Sequence, residues 1–242
     1  MDAAIVIPAR FQSSRFPGKP LAMIAGKSLI QRVWERCLGV VPNERVYVAT
    51  EDERIVEHCK GFGAETLMTS SKCLTGTDRV AEAAEQIACE LIVNVQGDEP
   101  LISAADVRVV LDALIAKPEV VHNAFCPIET EADFRSRNVP KVVAAPDGTL
   151  LYMSRAPIPG TKEDTFGTAY RQVCIYGFTR PQLRMFASRT AKTPLEQSED
   201  IEILRFLELG VGVHMTRLEG SSHAVDVPDD VRRIEEILSK AR

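Results

Sequence analysis

The sequence predicts an α/β protein with a mostly parallel, doubly wound central sheet flanked by helices. Three observations lead there. The short run Ala3–Ile7 is wholly apolar and Leu91–Val95 is apolar but for Asn94, the pattern of strands covered on both sides. Segments with apolar residues at helical spacing follow these runs, and strand then helix, repeated, is the rhythm of a Rossmann-like sheet. The most distinctive polar strings begin directly after strands, where open α/β sheets bind their ligands.

The elements follow in order. After Ala3–Ile7 and a polar loop, Leu29, Ile30, Val33, Trp34, Cys37 and Leu38 recur with a helical period. Arg45–Thr50 alternates as a strand and meets the acidic cluster Glu51-Asp52-Glu53, a helix start whose inner face holds Ile55, Val56 and Cys59. Glu65–Met68 reads as a short strand. Asp78–Ala88 carries the stripe Val80, Ala83, Ala84 and Ile87. Leu91–Val95 ends in Gln96-Gly97-Asp98-Glu99-Pro100, and Ala104–Ala116 follows as a helix. Val139–Ala145 and Leu150–Met153 read as strands around the turn Pro146-Asp147-Gly148. Gly160–Gly167 is loop-like, Val173–Phe178 a strand, and Glu196–Leu209 and Pro228–Lys240 helices. With no internal repeat, low-complexity tract or linker, 1–242 is read as one domain, with an insertion and possible dimer surface at about 125–180.

Length and composition fit a globular protein with ample core material. The formal net charge of −5 argues weakly against a nucleic-acid-coating or membrane-surface role. No apolar run approaches a membrane span, and the N-terminus lacks a signal-like segment, so the expected compartment is the cytoplasm. The six cysteines are scattered, without CxxC pairs or zinc-ligand spacing, and are read mostly as small buried side chains in a reducing environment.

Four constellations carry chemistry. In Arg10-Phe11-Gln12-Ser13-Ser14-Arg15-Phe16-Pro17-Gly18-Lys19, three cations share a bent loop after a buried strand. Guanidinium forks and an ammonium suit a polyphosphate, although a solvated turn would show the same charges. GxGxxG and GxxxxGK[ST] are both absent, which argues against a dehydrogenase-type dinucleotide site and a Walker loop. Asp98 closes a buried strand, where a carboxylate can hold Mg²⁺ or simply bond its own turn. Asp226, in Ala224-Val225-Asp226-Val227-Pro228, is a second candidate metal carboxylate or a helix cap. Thr75-Gly76-Thr77-Asp78-Arg79 is a polar helix start suited to phosphate or base contacts, or to capping alone.

The whole set resembles the 3-deoxy-manno-octulosonate (Kdo) cytidylyltransferases. The resemblance is carried by Ile7-Pro8-Ala9-Arg10 through Pro17-Gly18-Lys19-Pro20-Leu21, by Thr75–Arg79, by Val93–Pro100, by Ser154-Arg155-Ala156-Pro157-Ile158-Pro159, by Ile175-Tyr176-Gly177-Phe178 and by Val225–Asp230. These strings stand in order along essentially the whole chain. The related CMP-sialate synthetases have a glycine-richer N-terminal loop.

The resemblance implies a Rossmann-like nucleotidyltransferase, a homodimer, that uses CTP, a 2-keto-3-deoxy sugar acid and Mg²⁺. It implies that Pro8, Ala9, Arg10, Arg15 and Lys19 hold the nucleotide, with Thr77 and Arg79 nearby. Lys19, Arg10 and Asp98 would carry catalysis, and Asp98 and Asp226 would bind Mg²⁺. Gln96, Arg155, Gln172, Tyr176 and Glu202 would line the acceptor pocket, with Arg155 clamping its carboxylate. Two positions depart from the family pattern: Gln172 stands where the family usually has His, and Ile203 where it tends to have Gln. Both losses are expected at the sugar pocket. They imply either a changed acceptor with a less polar tail, or Kdo itself with waters filling in.

Overall fold

The computed structural model describes residues 2–13, 15–219 and 223–240; Ser14 of the N-terminal loop lies outside them. The first unit comprises β1 (Ala3–Ala9), the small hairpin β2 (Met23–Ile24) and β3 (Lys27–Ser28), and α1 (Leu29–Cys37). β4 (Val46–Thr50), α2 (Glu53–Lys60), β5 (Glu65–Met68), α3 (Gly76–Ala84), β6 (Leu91–Val95) and α4 (Ala104–Ala116) continue the alternation. Then come β7 (Val121–Pro127), α5 (Glu131–Arg135), β8 (Lys141–Ala144), β9 (Leu150–Ser154) and β10 (Tyr170–Thr179). The chain closes with α6 (Arg180–Ala187), α7 (Pro194–Glu199), α8 (Ile203–Glu208), β11 (Val213–Arg217) and α9 (Pro228–Lys240).

Seven strands follow one path, β11-β7-β10-β6-β1-β4-β5, and the β8–β9 hairpin branches from β10. β1 pairs in parallel with β4 and β6, β4 with β5, and β7 with β11. β10 is the reversed strand, antiparallel to both β6 and β7. Of the stretch at about 125–180, the end of β7 and all of β10 thus belong to the main sheet, and the β8–β9 hairpin stands off its path.

All seven residues of β1 are buried. Its alternate side chains feed two apolar layers. Ile5 and Ile7 join Val33, Val93, Val107 and Ile234 on one face. Ala4 and Val6 join Val80, Ile92, Phe178 and Phe206 on the other. Each such Ile, Leu or Phe contributes about 1.5–3 kcal/mol by leaving water. This double coverage explains why β1 reads as an unbroken apolar run and β6 as one interrupted only by the buried Asn94.

The expected single helix at Glu196–Leu209 is two helices. Asp200 adopts a left-handed conformation (φ 51°) and ends α7. Asp tolerates this region better than most residues. The break turns Glu202 toward the start of α3, with consequences for the site.

Candidate active site

The cleft lies beyond the C-terminal ends of β1 and β6, as the sheet topology requires. It has a volume of about 870 Å³. Two close backbone approaches shape its floor. Gly18 sits at φ 70° and donates to Phe11 O at 2.9 Å, folding the loop back on itself. A Cβ on Gly97 would lie 2.7 Å from Pro8 O, so only glycine lets the turn after β6 press against β1.

Folding the loop back delivers Lys19 to two acids from distant parts of the chain. Its Nζ donates to Asp98 Oδ2 and to Val225 O, each at 2.9 Å, and lies 3.8 Å from Asp226 Oδ1. Arg15 Nη2 donates to Asp226 Oδ1 at 3.0 Å. A backbone bond from Val225 N–H to Asp98 O (2.9 Å) locks the two acidic turns together. Asp98 reaches across to Lys19 rather than serving only its own turn. Among the described residues Asp226 accepts no hydrogen bond from the first turn of α9; Asp230, in that turn, reaches back and accepts from the N–H groups of Asp226 and Val227 at 2.7 and 2.9 Å. Pro8, Ala9 and the exposed Arg10 complete this end of the wall.

Among the described residues no set of three or more His, Cys, Asp and Glu gathers as for a metal. Magnesium needs fewer, since it takes one or two carboxylates plus phosphate oxygens and water. Two carboxylates converging on one ammonium form a place already suited to a cation, so Asp98 and Asp226 fit that ion.

At the start of α3 the side chains do different work from that expected. Thr75 caps the helix, accepting from Asp78 N–H at 3.2 Å. Thr77 is 1 % exposed and is not on the cleft wall; its N–H donates to Glu202 Oε2 at 2.8 Å. Arg79 touches the wall but is 4 % exposed and committed. It donates to Thr69 Oγ1 and forms an ion pair with Glu51 Oε2 at 2.7 Å, a charge contact more than an aligned hydrogen bond. Glu51 also accepts from Phe11 N–H at 3.1 Å, so Arg79 braces the cationic loop through Glu51. Burial therefore places Thr77 behind the cleft wall, away from the direct nucleotide contact expected of it. It gives Arg79 a bracing role.

The acceptor residues Gln96, Arg155, Gln172, Tyr176 and Glu202 all line the same cleft. Arg155, however, spends all three nitrogens on backbone carbonyls: Nε on Glu199 O, Nη1 on Arg137 O at 3.0 Å and Nη2 on Asp200 O at 2.9 Å. It knits the wall together, and Nη1 and Nη2 each keep one further N–H beyond these bonds. Lys141, fully buried beside it, donates to Ser136 O, Val139 O and Arg155 O at 2.7 Å each. Burial pulls its pKa down to about 8. Glu202 accepts from the N–H groups of Gly76 and Thr77, and burial raises its pKa.

Ile203 is 1 % exposed, packs in the apolar layer with Leu204 and Phe206, and does not reach the cleft. Of the two positions that depart from the family pattern, only Gln172 lines the cleft. Arg137, Arg171 and Lys192 also line the wall and were not singled out from the sequence. They sit in loops or on strand edges where a cation carries no distinguishing signal.

A reversed strand in the otherwise parallel main path of the sheet, a cationic loop after β1 and paired acids beside it define an α/β nucleotidyltransferase. The Cytidylyltransferase family profile matches residues 4–216. The 3-deoxy-manno-octulosonate cytidylyltransferase of Syntrophotalea carbinolica is 41% identical over 97% of this chain and 98% of its own. The mitochondrial enzyme of the same name from Arabidopsis thaliana is 39% identical over 96% of this chain and 82% of its own. A solved CMP:2-keto-3-deoxy-manno-octonic acid synthetase complexed with CTP superposes with a TM-score of 0.92 at 32% identity, covering both chains entirely. The chain belongs to the 3-deoxy-manno-octulosonate cytidylyltransferase family. Among the described residues no helix is long and apolar enough to cross a membrane.

Proposed function

We propose that the protein transfers CMP from CTP to the anomeric hydroxyl of Kdo. The hydroxyl oxygen forms a bond to the α-phosphorus, the bond from that phosphorus to the bridging oxygen breaks, and pyrophosphate leaves with the electron pair. The hydroxyl proton passes to solvent. One observation carries this reading: Lys19, Arg15, Asp98 and Asp226 meet at one end of a cleft whose other walls present Gln96, Gln172, Tyr176 and Glu202.

Little covalent chemistry falls to the protein, so positioning and charge stabilisation dominate. Arg10, Arg15 and Lys19 offset the charge growing on the departing pyrophosphate. Asp98 and Asp226 would hold Mg²⁺, which when bound polarises the α-phosphate and acidifies the attacking hydroxyl. Gln96, Tyr176 and Glu202 orient the sugar acid. The locked turns at Asp98 and Val225 keep the two acids in register before either substrate arrives. The working enzyme is read as a cytoplasmic homodimer.

The test is pyrophosphate release from CTP and Mg²⁺ with Kdo and with a panel of other ulosonic acids. Release with Kdo at the highest kcat/KM supports the reading. Release only with a different acid moves the acceptor assignment, and no release with any acid overturns it.

A further inference from the structure

Asn123 on β7 lies directly opposite Tyr176 on β10. The ladder slips here: Val173 faces Ala124 and Tyr176 faces Asn123, so Cys174 and Ile175 have no opposite number on β7. A bulge of this kind leaves strand carbonyls unpaired and re-aims nearby side chains. Asn123, fully buried, supplies what the bulge lacks. Its Nδ2 donates to Val173 O at 3.0 Å and to Ile175 O at 2.7 Å.

Both N–H bonds of that amide are thereby used, so the atom it turns toward β10's neighbouring side chain is Oδ1. Gln172 Nε2 donates to it at 2.9 Å, and to Tyr176 Oη at 3.2 Å. Gln172 in turn has no donor left. A flip of its amide would set two carbonyl oxygens against each other at Asn123. Among the described residues its Oε1 takes no protein bond, and Gln172 lines the cleft.

We propose that Asn123, which does not itself reach the cleft, is a positioning residue that fixes the polarity of the acceptor end. It braces the bulge and turns the Gln172 amide so that the cleft meets an acceptor oxygen. The chemical group selected there is a hydrogen-bond donor on the sugar acid, a hydroxyl or an amine. This rests on the sugar-acid reading above and adds to it the sense of one hydrogen bond and the residue that sets it.

The test compares wild type, Asn123→Ala and Gln172→Met, using pyrophosphate release with Kdo and a series of its monodeoxy analogues, and calorimetric titration of CTP. Expected is a rise of roughly tenfold or more in KM for Kdo in both variants, with CTP affinity within about twofold of wild type. One deoxy analogue should lose about tenfold in kcat/KM with wild type yet match Kdo with Gln172→Met. Should Asn123→Ala fail to fold, Asn123→Ser and Gln172→Met carry the same comparison. Equal losses for CTP and acceptor, or an analogue penalty that survives Gln172→Met, would overturn the assignment. Wild type that releases no pyrophosphate with any sugar acid overturns the functional reading and this inference with it; wild type that is active while the variants show no split overturns the inference alone.

Discussion

Lys19 and Asp98 stand 79 positions apart in the chain and meet at 2.9 Å. The contact is partly shielded, with side-chain exposures of 18% and 27%. An ion pair at a cleft mouth does little for stability, since its gain is offset by desolvation and screening. Its value lies in keeping a cation and a carboxylate poised at the place where a polyphosphate and a metal would arrive together.

Lys19→Ala is expected to lower kcat/KM for pyrophosphate release by at least tenfold, about 1.4 kcal/mol of barrier. The fold should survive, because Lys19 touches the loop's rim rather than the apolar layers. Steady-state rates alongside far-ultraviolet circular dichroism decide it. A loss below tenfold in a folded variant removes Lys19 from phosphate stabilisation.

The paired acids predict a divalent requirement. Chelation with EDTA is expected to halt turnover, and added Mg²⁺ to restore it. Asp98→Asn should abolish Mg²⁺-dependent release, and Asp226→Asn should raise the Mg²⁺ concentration for half-maximal rate. Metal-response curves for the three proteins give the answer. Wild-type turnover indifferent to EDTA would end the assignment of both residues.

Much of this was legible in the chain. β5, β6, α4 and α9 lie where their patterns place them, because each has clean flanking turns and one strong period. β7 was missed, since Val121-His122-Asn123-Ala124-Phe125-Cys126-Pro127 neither alternates nor runs apolar; its polar side chains are buried against partners from β10 and α4. α6 was missed although Pro181 at its first turn was a signal. Lys19 and Asp98, which the fold brings together, were each singled out from the sequence by their charge in a loop that follows a buried strand. Arg155 and Glu202 were named through the family resemblance, but the backbone partners they take were not visible. Arg155 bonds three carbonyls and Glu202 two amides, and no side-chain spacing reveals a main-chain partner.

A buried triad ties the start of α3 to α7 and α8. Arg205, fully buried, donates to Glu196 Oε2 and Oε1 at 2.6 and 2.7 Å and to Asp78 Oδ1 at 2.7 Å, with its guanidinium 3.6 Å over the Phe186 ring. Arg205→Met leaves Glu196 and Asp78 without their cation. Removing one member of a buried charge network typically costs about 3–5 kcal/mol. Urea unfolding should show a loss of that order, and CTP affinity should fall with it, because Asp78 anchors the Thr75 cap. A stability loss under about 1 kcal/mol would mean that water reaches the triad and stands in for the guanidinium.

Acid sensitivity should arise at His122 and His214, away from the cleft, beside the part that His223 contributes on the cleft wall, where burial also lowers its pKa. They face each other across β7 and β11, with ring centroids 5.6 Å apart. His122 is 1 % exposed, and its Nε2 lies 2.8 Å from Lys117 O. The Nδ1 atoms of both rings are buried without a hydrogen-bond partner among the described residues. Burial holds the pKa values of His122 and His214 below the ordinary 6.5. At His122 the hydrogen bond to Lys117 O pushes back, as does Glu119, while the His214 and Lys117 charges add to burial; at His214 the Lys117 charge adds to burial and Asp147 pushes back. Below pH 6.5 the unfolded chain therefore binds more protons than the folded one. Stability is full above that pH and is lost as pH falls toward the depressed folded values. Urea midpoints at pH 7.5 and 5.5 should differ in wild type, with the lower value at pH 5.5. His122→Gln keeps an N–H for Lys117 O and cannot titrate, so its drop between the two pH values should be smaller. Equal drops in the two proteins would place the acid sensitivity elsewhere.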